Sequence, residues 1–169
     1  MELEQRVRRL EDRSAIDDLN TRYFLAADGD DMAGVGDSFT DDATFASSGH
    51  VAATGARAIV DFIAGARGHM GLTIHTPHYG LYTFHDDQRA SGIVGAHLEL
   101  VLAGQSTLGA VRYIDEYRQD DGSGSRPGHC TGVGEANTSA ERARSPMKMV
   151  RMSRRAMRQT PSSCRYSSM

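Results

Sequence analysis

Tryptophan is absent from this 169-residue chain, lysine occurs once, at Lys148, and the two cysteines, Cys130 and Cys164, both fall near the C-terminal end. Residues 1–121 therefore contain no thiol for a disulfide or a thiolate metal site, which is compatible with a reducing compartment. No apolar run is long enough to span a bilayer. The opening Met1-Glu2-Leu3-Glu4 is acidic where a secretory signal needs a basic patch and an apolar stretch. A soluble, cytoplasmic protein with no membrane partner is the expectation. Two catalytic motifs are also missing. The glycines Gly29, Gly34 and Gly36 do not form a phosphate loop behind a strand, and Gly122-Ser123-Gly124 lacks the Gly-x-Ser-x-Gly pattern. These absences argue against nucleotide, flavin and serine-hydrolase chemistry.

The charge present is unevenly spread. Residues 1–121 carry 20 acidic and 10 basic side chains, a balance of −10, whereas residues 122–169 carry 2 acidic and 9 basic, a balance of +7. An acidic domain repels phosphate backbones, so no nucleic acid partner is expected for it. The segment from Gly122 has no Leu, Ile, Phe or Trp but nine Ser and eight Arg, too little apolar surface to offset the entropy of ordering. The chain thus divides into a domain over residues 1–121 and a basic Ser/Arg/Gly-rich tail over residues 122–169. That tail is expected to be disordered or to derive from a reading-frame shift. Eighteen arginines against one lysine suggest GC-rich codons, which read out of frame give tracts of this kind.

Within the domain, Leu3, Val7, Leu10, Ile16, Leu19, Tyr23 and Ala27 recur at helical intervals and predict a long amphipathic helix from Glu2 to about Ala27 with these residues on its buried face. The run Asp28-Gly29-Asp30-Asp31 ends it, and Asp30 or Asp31 can cap a short second helix reaching about Phe39. Thr44-Phe45-Ala46 reads as a strand and Ala56–Gly65 as a third helix. The period then changes. Thr73–Phe84, Ala90–Ala103 and Thr107–Arg118 are rich in β-branched and aromatic residues, alternate in polarity and are separated by turn clusters, as three sequential antiparallel strands would be. Helices followed by a meander predict an α+β domain with helices covering one face of a sheet.

The run Leu10-Glu11-Asp12-Arg13-Ser14-Ala15-Ile16-Asp17-Asp18-Leu19 is followed by Arg22-Tyr23, Asp28, Phe39-Thr40-Asp41-Asp42-Ala43 and Gly55-x-x-Ala58-Ile59. Then come His78-Tyr79-Gly80 and Arg112-Tyr113-x-Asp115-x-Tyr117. In order and spacing these resemble the SnoaL-like branch of the nuclear transport factor 2-like superfamily over residues 1–122. The resemblance implies a cone: a curved mixed β-sheet packed on three helices around an apolar pocket. It also implies a cofactor-independent lyase of the scytalone dehydratase or hexachlorocyclohexane dehydrochlorinase type. In such enzymes an Asp ending the first helix and a His on the strand after the third form an acid/base dyad, which the resemblance carries to Asp28 and His78. Alternatives within the family are a polyketide cyclase or isomerase, a non-catalytic small-molecule binder and a dioxygenase-associated subunit. No cofactor and no metal are implied, and members often form homo-dimers or homo-trimers. The chain departs from the family at Asp121-Gly122-Ser123-Gly124, where the expected closing strand is missing.

A carboxylate orienting an imidazole makes a general acid/base unit without a metal. Asp28 near the negative end of a helix dipole costs a few tenths to about 1 kcal/mol, a reason to expect a use for it. Pro77 and Gly80 flank His78 and can bulge the strand so that its ring turns into the pocket. His75 lies three residues earlier, which on a regular strand sends the two rings to opposite faces and makes His75-x-x-His78 a poor metal site. Tyr23 and Tyr113 are candidates to donate hydrogen bonds to a small apolar substrate, with Phe24 and Phe62 as pocket walls beside Leu19, Phe45 and Leu81. His97 falls on the polar face of its strand with Glu99. It remains a candidate because some dehydratases take a second His from that strand.

Overall fold

A computed structural model describes residues 2–47 and 49–119, together with the strand backbone of residues 132–138 and 150–155. Helix α1 (Leu3–Asp28) is followed by a short α2 (Met32–Gly36), strands β1 (Thr44–Ser47) and β2 (His50–Thr54), and α3 (Ala56–Arg67). Three long strands come next, β3 (Met70–Phe84), β4 (Arg89–Leu102) and β5 (Gln105–Arg118), then β6 (Gly132–Thr138) and β7 (Val150–Arg155). The strands form one open mixed sheet in the order β2-β1-β6-β7-β5-β4-β3. The protein is α+β, with helices first and a curved, largely antiparallel sheet after them.

The core lies between the inner face of this sheet and the C-terminal half of α1. Along β4 the even residues Ala90, Val94, Ala96 and Leu100 are buried, and along β5 the odd residues Val111, Tyr113, Asp115 and Tyr117 are. This is the two-residue alternation of a sheet with one covered face. Ile16, Leu19, Tyr23, Phe24 and Ala27 of α1 pack onto it together with Val35, Phe39 and Ile59. Asp31 caps α2, its carboxylate accepting the Gly34 N–H at 3.0 Å.

The N-terminal half of α1 differs from the sequence expectation of a continuous buried face. Leu3, Val7 and Leu10 are exposed, at 70, 45 and 68%. Two arginines hold this end of the helix to the sheet instead. Arg9 lies over the Phe84 ring at 4.3 Å and bonds the Asp86 carbonyl, and Arg13 lies over Tyr82 at 5.3 Å and bonds the Gly80 carbonyl. Helical periodicity shows which residues share a face, but not how far along the helix the sheet extends beneath it.

The chain's C-terminal segment differs as well. No closing strand was expected after β5, yet β7 pairs with β5 in parallel over Tyr113–Arg118, and β6 pairs with β5 and with β1. Ladder bonds are made by backbone N–H and C=O groups, so the edge of a long strand such as β5 can template pairing with a segment whose side chains carry no strand pattern. Residues 120–131, 139–149 and 156–169, on which most of the expected disorder falls, lie outside the described residues. No helix among the described residues is long and apolar enough to cross a membrane.

Candidate functional site

The site is built where the end of α1 meets β3. Phe24 and Asp28 are four residues apart on the helix and so share a face. One side chain of β3 fills the space beside both of them: His75. Its Nδ1 lies 2.6 Å from Asp28 Oδ1, and its backbone N–H donates to Asp28 Oδ2 at 2.8 Å. The ring stacks on Phe24, with centroids 5.0 Å apart and planes 11° off parallel. Tyr113 closes the far side at 6.4 Å. The His75 side chain is 10% exposed and that of Asp28 19%, so the pair is sheltered but open on one side.

Burial pushes the Asp28 carboxyl pKa up. The hydrogen bonds from the His75 ring and backbone, its positive charge when protonated and a bond from the Thr73 side chain outweigh this, and the carboxyl sits below its ordinary value. Asp28 is thus an anion at neutral pH. An anion at Nδ1 fixes the tautomer with the proton on Nδ1, leaving the Nε2 lone pair available as a base. Among the described residues no hydrogen bond occupies Nε2.

The expected Asp28–His78 pairing is not what the structure contains. β3 bulges between Pro77 and Tyr79: Pro77 pairs with Ala96, Tyr79 with Gly95, and His78 is the extra residue. His78 keeps the outward phase of Thr76, away from the core. Its exposed ring meets that of His97 edge-on at 4.2 Å, on the outer face of the sheet. The bulge expected at this point is therefore present, but the histidine that faces inward is the other one, on the regular stretch before it. His75, read from its spacing as lying on the opposite face from His78, does so and takes the place beside Asp28.

The remaining candidates separate in the same way. Phe24 and Tyr113, at 3 and 5% exposure, flank His75, and Tyr23 packs edge-on against Phe24, Phe39 and Tyr113. Phe62 touches Phe45 at 5.4 Å but is 41% exposed, and Leu81, expected in the pocket wall, is 65% exposed. The bulge explains Leu81: by adding one residue it moves the odd positions after Pro77 to the outer face and brings Gly80 and Tyr82 inward. His97 lies with His78, remote from Asp28. Among the described residues no group of three or more His, Cys, Asp or Glu side chains is arranged to hold a metal ion.

Sequence reasoning also missed a buried polar network on the inner face. Tyr82 donates to Asp17 at 2.6 Å and accepts from Asn20 at 3.1 Å, while Tyr117 accepts from Asn20 at 3.3 Å and donates to the fully buried Asp115 at 3.0 Å. Burial and the nearby Asp17 carboxylate both raise the Tyr82 phenol pKa, so it remains a proton donor. Gly80 and Gly92 make room for this ring, since a Cβ at either would stand about 2.4–2.5 Å from Tyr82 atoms.

Comparisons with known proteins agree with this architecture. The family model for the SnoaL-like domain matches residues 8–123. Hexachlorocyclohexane dehydrochlorinase LinA-type3 from Novosphingobium barchaimii LL02 superposes with a TM-score of 0.67 at 22% identity, covering 83% of this chain and 98% of that one. A putative scytalone dehydratase from Novosphingobium aromaticivorans DSM 12444 gives 0.61 at 13% identity, covering 95 and 98%. A putative aromatic ring hydroxylase from Novosphingobium aromaticivorans gives 0.60 at 28% identity, covering 66 and 81%. No curated protein sequence shows significant similarity to the chain.

Proposed function

Since the chain belongs to the SnoaL-like domain family, whose structural neighbours include a dehydrochlorinase and a putative scytalone dehydratase, we propose that it is a cofactor-independent lyase with Asp28 and His75 as its acid/base dyad. The observation that carries this reading is the 2.6 Å contact between Asp28 Oδ1 and His75 Nδ1 in a sheltered aromatic setting. Nε2 takes a proton from a carbon next to an activating group. The electron pair of that C–H bond becomes the new C=C bond, and hydroxide or halide leaves from the adjacent carbon with its own bonding pair. Asp28 stabilises the imidazolium formed, then the proton passes to the departing hydroxide or to water. Phe24, Tyr23 and Tyr113 favour a small, mostly apolar ring compound as substrate.

The test is a screen of small cyclic alcohols and halides carrying an acidic C–H, read by product formation and by deuterium incorporation from D2O. The lyase reading expects elimination or exchange with at least one class, abolished in His75→Gln and Asp28→Asn. Tight binding with neither elimination nor exchange would identify a binding protein instead. Activity that survives both substitutions would remove the dyad.

A further inference from the structure

The dyad uses one histidine of β3, and the other takes part in a second pairing on the opposite face of the sheet. Thr76 stands opposite His97 in the β3–β4 ladder, and His78, two residues further along and extra at the bulge, has no partner of its own there. Diagonal neighbours on one face of a sheet lie about 7–8 Å apart, within reach of aromatic side chains. The two rings accordingly meet, with centroids 4.2 Å apart and planes at 80°. Both residues are exposed. Among the described residues neither ring makes a hydrogen bond or an ion pair, so the nitrogens of both are uncommitted.

A neutral imidazole nitrogen with a free lone pair is a ligand for borderline divalent ions such as zinc, nickel and copper. Metal–nitrogen bonds of about 2.0–2.1 Å, set at angles between square and tetrahedral, place the centroids of two imidazoles about 4.5–5 Å apart. The observed contact lies close to the short end of that span. Turning the edge-on rings until one nitrogen of each meets a common ion takes rotation about the Cβ–Cγ bonds, a torsion with broad minima in histidine. The backbone beneath is held by a ladder that runs from Met70 to Phe84 on β3. The charges nearest the pair in register are Glu99, in line with Ile74 and Leu108, and Arg112, in line with Gly95. One lies on each side of the His97 row, so neither sign dominates the approach of a cation. We propose that His78 and His97 form a two-histidine site for a borderline divalent transition ion, with water completing the coordination. An ion held by both rings cross-links β3 at its bulge to β4. The site stands apart from the reading of Asp28 and His75 and survives its failure.

The experiment is a calorimetric titration of the full chain, free of any affinity tag, with zinc chloride. Cys130→Ser and Cys164→Ser are present throughout so that thiols do not compete for the ion. One zinc ion should bind per chain. His78→Ala and His97→Ala should each weaken it by about tenfold or more, and the double variant should be little worse than either single one, because both rings act on one ion. Imidazole nitrogen NMR should show zinc shifting the His78 and His97 rings and no others. Affinity should fall as pH is lowered through the ordinary imidazole range, about 6.5, because protons compete for the same nitrogens. Zinc should also raise the unfolding temperature of the parent chain and not that of the double variant, while the metal-free proteins unfold alike. Undiminished affinity in the double variant would place the ion elsewhere and overturn the proposal, as would the absence of binding at millimolar zinc. Loss of binding in His75→Gln with the outer pair intact would assign the ion to the dyad and overturn it as well.

Discussion

Three residues separate His75 from His78 on β3, and the two rings meet different worlds. His75 lies inside the cone, stacked on Phe24 and bonded to a carboxylate. His78 is exposed on the outer face, against His97. Their odd spacing sends the two rings to opposite faces, the bulge after Pro77 shifts the phase of the residues that follow, and each face of the sheet covers something different. Residue type is identical in the two places. What makes an imidazole a candidate base is the anion that fixes its tautomer and the apolar surface that keeps water from competing, and only the inner position supplies both.

The comparison is broken most severely by removing either half of the inner pair. Asp28→Asn or His75→Gln should lower kcat by about 100- to 10,000-fold, the range for losing a positioned acid or base, measured on whichever substrate the screen identifies. Phe24→Ala should lower stability by about 3–5 kcal/mol in urea unfolding, because a nearly fully buried ring is replaced by a cavity beside His75. A smaller loss tests the neighbouring network: Tyr82→Phe should cost about 1–3 kcal/mol by leaving Asp17 and Asn20 without the phenol between them.

The pH dependence has a definite sign. The Asp28 carboxyl lies below its ordinary value of 3.8 when folded, so its contribution to stability is fully present above 3.8 and is lost as pH falls through the folded value. Acid unfolding of the wild type should therefore include a component that Asp28→Asn lacks, visible as a flatter stability profile below pH 3.8 in the variant. The smallest effect belongs to the outer pair. His78→Ala and His97→Ala should each leave stability within about 0.5 kcal/mol and turnover within experimental scatter. A loss of turnover in His78→Ala comparable to that in His75→Gln would erase the distinction between the two faces.

Much of the architecture was legible because it depends on local pattern. The apolar spacing of Ile16, Leu19, Tyr23 and Ala27 marks the buried half of α1, the acid cluster from Asp28 to Asp31 ends it and caps α2, and alternation along residues 90–118 marks two sheet faces. Alternation also fixed which side of the sheet His97 occupies. The strand β2 was missed: in His50–Thr54 only Ala53 is buried, so it shows no alternation. The place of Asp28 at the end of α1 was legible in the acid cluster, and its expected pairing with a histidine came from the family resemblance. Which histidine meets it was not legible, because the phase of β3 changes at the bulge. Thr73 and Tyr82, both inward, differ by an odd number of residues, which requires such a slip somewhere between them, but sequence alone leaves its direction open.

The sequence by itself determined the three helices and the strands β1, β3, β4 and β5, their order and the presence of an acid at the end of the first helix, since these follow from periodicity and capping within a few residues. Only the tertiary structure decided that His75 faces that acid, that Leu3, Val7 and Leu10 stay in water, and that Arg67 ties Asp30 to Thr73. Each of these depends on where the sheet ends, how a strand is phased and what lies across the gap. Those quantities arise when distant parts of the chain meet, so no local window of residues contains them.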